Sequence, residues 1–206
     1  FMMNYEKIIL EMLSRIKDLE EKVDMLQDYM NAQENNEDDE NEELDSENLT
    51  QKKKESGRKL SRQEIMRILK EQYGFNVRKG NRSEGSGIVA TRNGKSYNIK
   101  VSYSRSYFDY VNEEVICSGW HTLFEKEINN PDFTFFIFVV ADAEQKFHYF
   151  IFRREDIIKK FDYKVFDANN KWHFYFRVMK DGKPLESREI EKDMSAYYNN
   201  WDIFKN

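Results

Sequence analysis

Apolar positions in the first thirty residues step by alternating threes and fours: Met2, Tyr5, Ile9, Met12, Ile16, Leu19, Val23, Leu26 and Met30. This is a heptad with Met2, Ile9, Ile16, Val23 and Met30 at a, and Tyr5, Met12, Leu19 and Leu26 at d. It predicts a coiled-coil helix over residues 2–30 that makes the chain a homo-oligomer. β-Branched residues at a with Leu at d select a dimer, and Arg15 at g faces Glu20 at e of a partner. Ile8 (g) and Leu13 (e) are apolar and widen the seam, which leaves a tetramer open.

The pattern then lapses. Residues 31–48 are dense in Asp, Glu and Asn, too poor in apolar surface to offset their ordering entropy. Lys52, Lys53, Lys54, Arg58 and Lys59 reverse the charge, so 31–59 reads as a linker that is first acidic, then basic. A folded domain is expected over 60–206. Ile65, Ile68, Leu69 and Tyr73 predict a helix, N-capped by Ser61 with Glu64 completing the capping box and stopped by Gly74. Residues 76–79 begin a strand, and 85–92 with 95–104 form a hairpin about Asn93-Gly94. Ser118 is expected to cap a helix to residue 129, with Trp120, Leu123, Phe124 and Ile128 as its stripe and Pro131 as its stop. The unbroken apolar run 133–141 reads as a central strand buried on both faces. Residues 146–152 read as its antiparallel neighbour, 154–161 as a short helix, and 171–179 as a strand turned by Asp181-Gly182. The aromatic tail of Tyr197, Tyr198, Trp201, Ile203 and Phe204 is expected to dock on the core. The fold class that follows is α/β, a central mixed sheet flanked by helices, preceded by the coiled-coil helix.

A net charge of −5 conceals an asymmetry. Residues 1–50 carry 4 basic and 16 acidic side chains, 51–105 carry 15 and 4, and 106–206 carry 14 and 18. A stretch of net +11 is an electrostatic footprint for a polyanion. One cysteine, Cys117, excludes a disulfide framework and, with no signal pattern, predicts a cytoplasmic protein. No apolar run is long enough to span a membrane, so no membrane partner is expected.

Residues 64–105, EIMRILKEQYGFNVRKGNRSEGSGIVATRNGKSYNIKVSYSR, resemble the core of the PD-(D/E)XK nuclease-like (restriction endonuclease-like) superfamily. The resemblance extends over about 60–160 and implies an αβββαβ core. It implies an Asp early in the second strand and a Glu-x-Lys motif on the third, which together hold Mg²⁺ and position the attacking water. Here Ile88 falls where the Asp belongs. On the third strand either Asn98-Ile99-Lys100 or Lys100-Val101-Ser102 takes the motif's place, and neither supplies a carboxylate. Ile88, Asn98, Lys100 and Ser102 are thus read as a vestigial site, with no metal and no cofactor. The candidate acids for a rebuilt site are Glu64 and Glu84, Asp109, Glu113 and Glu114 being more remote.

Arg78, Lys79, Arg82, Arg92, Lys95, Lys100 and Arg105 cluster about the hairpin with interleaved tyrosines, and His121 beside Trp120 is a further candidate contact for phosphate or base. The resulting expectation is a nucleic-acid-binding protein, DNA ahead of RNA, without hydrolytic activity. Two other classes stay open: an active Mg²⁺-dependent nuclease using Glu64, Glu84 and Lys100, and a coiled-coil protein-interaction module.

Overall fold

The Asn93-Gly94 pair organises the main sheet. Both residues adopt positive φ, 52° and 75°, the geometry of a tight hairpin turn. They fold β2 (Ile88–Arg92) against β3 (Lys95–Arg105), with Arg92 opposite Lys95 and Ile88 opposite Ile99. β1 (Asn76–Lys79) completes an antiparallel meander on β2. The apolar run forms β5 (Phe133–Ala141), parallel to β3, and β6 (Phe147–Arg153) lies antiparallel beside it. The order β1-β2-β3-β5-β6 makes a mixed five-stranded sheet.

The structure is a computed structural model and describes residues 11–17, 19–20, 23, 57–81, 87–107 and 114–205. Most of the expected linker, much of the expected coiled coil, and Arg82, Glu84, Asp109 and Glu113 lie outside the described residues. The chain divides into two units, Phe1–Ser56 and Gly57–Asn206. The first contains helical residues 11–17, 19–20 and 23. The second is α/β, and no described helix is long and apolar enough to cross a membrane.

Parallel neighbours require a crossover. Between β3 and β5 a helix was expected from Ser118 to residue 129. The chain instead forms a strand, β4 (Val115–Phe124), and only α2 (Glu125–Ile128) is helical. The stripe of Trp120, Leu123 and Phe124 fits helical spacing. As a strand, the segment from Cys117 to His121 is buried on both faces, which erases the alternation that marks a strand in sequence. Its partner, β7 (Lys171–Met179), arrives about fifty residues later and continues into β8 (Pro184–Glu186) and β9 (Lys192–Asp193), giving a second, antiparallel sheet.

Three layers result. On one face of the mixed sheet, α1 (Gly57–Glu71) packs Ile65 and Leu69 over Ile99, Val101, Ile137, Val139 and Ile151. On the other, Phe136, Phe138, Val140, Phe150 and Phe152 meet Cys117, Leu123, Phe174, Phe176 and Val178 of the second sheet. Phe138 is the hub there, with ring centroids 5.1 Å from Phe174 and 4.9 Å from Phe176. The layering is therefore helix, mixed sheet, sheet, where helices were expected on both flanks. α3 (Arg154–Lys160) is short and buries Ile157.

α1 begins at Gly57, three residues before the expected boundary, so Ser61 is not its cap. Ser61 is buried inside the helix, where its Oγ donates to the Arg58 carbonyl at 3.0 Å. Glu64 makes a 2.8 Å ion pair with Arg67 instead of closing a capping box. Gly74 ends the helix as expected: at φ 68° its N–H donates to the Lys70 carbonyl, a left-handed cap. The aromatic tail also docks as expected. Ile151 N donates to the Tyr197 carbonyl and Asn199 N to that of Tyr149, so the tail covers the β6 edge that would otherwise offer unpaired backbone groups.

Candidate functional site

Alternation along β3 sends Tyr97, Ile99 and Val101 toward α1, and Asn98, Lys100, Ser102 and Ser104 toward the second sheet. The two placements of the degenerate motif thus share one face, as expected, and that face is where the chemistry has to be sought.

Each of three side chains on it is engaged. Lys100 forms an ion pair with Glu127 of α2; the two side chains are 23% and 16% exposed. Glu127 is itself fixed, because its Oε2 accepts the Phe124 N–H at 3.0 Å. Ser102 Oγ hydrogen-bonds His121 Nδ1 at 3.0 Å. Ser104 Oγ accepts the Trp120 N–H at 3.1 Å and donates to the Arg105 carbonyl. The row is a polar seam joining β3 to β4 and α2.

Two sequence candidates meet here that nothing in the sequence linked, Ser102 and His121. His121 lies on β4, not in the first turn of a helix, and is fully buried, its ring edge-on to Phe138 at 5.2 Å. It has no access to a phosphate or base at the surface. Burial follows from close packing: a Cβ at the neighbouring Gly119 would fall 2.5 Å from Val140 Cγ2 and 3.2 Å from His121 Nε2.

Ile88 is displaced from the role assigned to it. It stands opposite Ile99, and directly opposed residues of antiparallel strands share a face, so Ile88 points toward α1 and away from Lys100. The β2 residue on the Lys100 side is Val89, opposite Asn98 and also buried. Beside Lys100 stands Gly87, where a Cβ would lie 2.2 Å from the Ile99 carbonyl oxygen. No carboxylate reaches this face from β2.

Glu64 is equally remote. α1 covers the opposite face of the sheet, and the Arg67 hydrogen bond holds the Glu64 carboxyl below its ordinary range. The acid that does approach Lys100 is Glu127, which the sequence reading missed. Its only signal was its position after Phe124, in a segment taken for the last turn of a longer helix. A divalent cation needs two or more converging oxygens from charged or carbonyl groups. Asn98, Lys100, Ser102 and Glu127 offer one carboxylate, already neutralised by an ammonium, and so do not fit Mg²⁺. Among the described residues no group of three His, Cys, Asp or Glu is placed to hold a metal.

The basic set divides. Arg78, Lys79, Lys95 and Arg105 are exposed, and α1 adds exposed Lys59 and Lys70. Arg92 is drawn inward: Nη1 donates to the Tyr73 carbonyl at 2.9 Å, Nη2 to the Phe204 carbonyl at 2.7 Å, and its guanidinium lies 4.3 Å over the Phe75 ring. It fastens the tail to the sheet.

Other polar clusters tie strands and turns together. His148 bridges Asp142 (3.0 Å) and Tyr198 (2.7 Å), fixing the β5–β6 turn to the tail. His173 joins Asp167 (2.8 Å) to the indole N–H of Trp120 (3.2 Å). Glu186, wholly buried, accepts from Tyr175 N, Arg188 N, Tyr163 Oη and Lys164 Nζ. Burial pushes its carboxyl up, against the pull of Lys164. Comparison with protein-family models, curated proteins and solved structures finds no match to this chain.

Proposed function

We propose that the α/β domain binds nucleic acid, DNA ahead of RNA, on a nuclease-like sheet and does not hydrolyse it. The observation that carries this reading is the set of exposed cations on α1, β1 and the β2–β3 hairpin: Lys59, Lys70, Arg78, Lys79 and Lys95. They belong to the segment with 15 basic and 4 acidic side chains. Cations on one helix and the adjoining sheet edge suit phosphates spaced along a backbone, and such binding is salt-dependent and largely indifferent to sequence.

Support for the nuclease-like part comes from the helix, the three-stranded meander and the return strand β5 in a mixed sheet, which follow the order the resemblance implies. The crossover departs from it, with β4 and one helical turn where a helix belongs. Support for the non-hydrolytic part is the ion pair between Lys100 and Glu127 on the face where metal-binding acids are required.

The test is a labelled 30-base-pair duplex incubated with the full chain at low salt, with Mg²⁺ or Mn²⁺, and resolved on native and denaturing gels. Retardation with intact strands is expected. Strand cleavage that disappears in Lys100→Ala overturns the non-hydrolytic reading, and failure to retard duplex or single strand overturns the binding reading.

A further inference from the structure

The apolar stripe of the N-terminal helix is its open side. Met12, Ile16, Leu19 and Val23 are 58%, 43%, 61% and 51% exposed, and they are the described a and d positions of the heptad. A helix that leaves such a stripe in water forgoes the stabilisation that burying it would bring. On the same helix Leu13 and Ser14 are half-buried.

We propose that this stripe is the seam of a parallel two-stranded coiled coil formed with a second copy of the chain. Leu13 at e was one of the two residues that left a tetramer open. It is half-buried, whereas the exposed large apolar residues among the described part of the helix all stand at a and d. A narrow seam with Ile16 and Val23 at a and Leu19 at d specifies two parallel strands. Charge fixes the direction. In the parallel arrangement Arg15 at g, 76% exposed and paired with Glu11 of its own helix at 2.8 Å, lies level with Glu20 at e of the partner, twice by symmetry. An antiparallel pair centred on this segment sets Arg15 against Arg15. The proposal rests on the helix alone and holds whatever the α/β domain binds.

Sedimentation equilibrium of the full chain is expected to give a dimer. Leu19→Glu places a charge at an exposed d position and is expected to give a monomer whose α/β domain melts at the unchanged temperature. Val23→Cys is expected to form a disulfide-linked dimer on mild oxidation, since the native Cys117 is buried. In the antiparallel alternative the two introduced thiols sit about 24 Å apart and do not link. A monomer at tens of micromolar, a tetramer, a dimer that survives Leu19→Glu, or a dimer that fails to link through Val23→Cys overturns the proposal.

Discussion

Arg92 separates two roles that its position in a basic hairpin confuses, a phosphate ligand and a clasp for the C-terminal tail. Replacing it with Ala removes two hydrogen bonds from a charged donor, to the Tyr73 and Phe204 carbonyls, and the contact over Phe75. Charge-assisted bonds contribute about 1.5–3 kcal/mol each, and a partly exposed cation–ring contact about 0.5–1 kcal/mol. The site is partly buried and its bonds are coupled, so a loss of about 3 kcal/mol is expected rather than the full sum. For a domain of this size that lowers the melting temperature by roughly 6–12 °C. Arg92→Lys is expected to recover little, because a single ammonium does not span both carbonyls as the guanidinium fork does. Urea denaturation followed by tryptophan fluorescence measures the loss, and Trp201 in the tail reports its release. A variant with wild-type stability and more than tenfold weaker DNA binding would refute the clasp and return Arg92 to the phosphate-binding set.

Phe138→Ala opens a cavity where the rings of His121, Phe152, Phe174 and Phe176 converge on the buried ring, and is expected to cost about 3–5 kcal/mol in chemical denaturation. Gly87→Ala drives a methyl onto the Ile99 carbonyl and is expected to cost about 1–3 kcal/mol by the same measurement. Glu186 gives a pH signature: burial raises its folded value above the ordinary 4.5, so the native state holds the proton more tightly. Its contribution is complete below pH 4.5 and is lost as pH rises through the folded value, so Glu186→Gln is expected to flatten the stability profile above pH 4.5 relative to wild type. An identical slope in the two proteins contradicts that assignment.

Local chemistry made much of the fold legible. Asn93-Gly94 announces its hairpin because only a left-handed pair fits the turn, and 133–141 announces a central strand because both its faces are dry. β4 was opaque for the same reason that β5 was clear. A doubly buried strand carries no alternation, and three aromatic and aliphatic residues at spacings of three and one read equally as a helical stripe. What decides is β7, a partner no local window contains. The site suffered a subtler loss. Which side Ile88 faces turns on one residue of register, and the sequence alone set it beside Lys100 when it stands across the sheet. Glu127, Asp142 and Asp167 were invisible as partners because each acquires its meaning from a residue on another strand or turn.

The claim that matters most is that exposed lysines on the β1 edge and hairpin hold backbone phosphates. The salt dependence of duplex binding, followed by fluorescence anisotropy for the wild type and for a Lys79→Gln/Lys95→Gln double variant, tests it directly. Two lost phosphate contacts reduce the slope of log affinity against log salt by about 1.8. A shallower slope of that size, with strands left intact, is the expected result. Equal slopes in the two proteins would mean that these lysines touch no phosphate, and the proposed surface would be wrong.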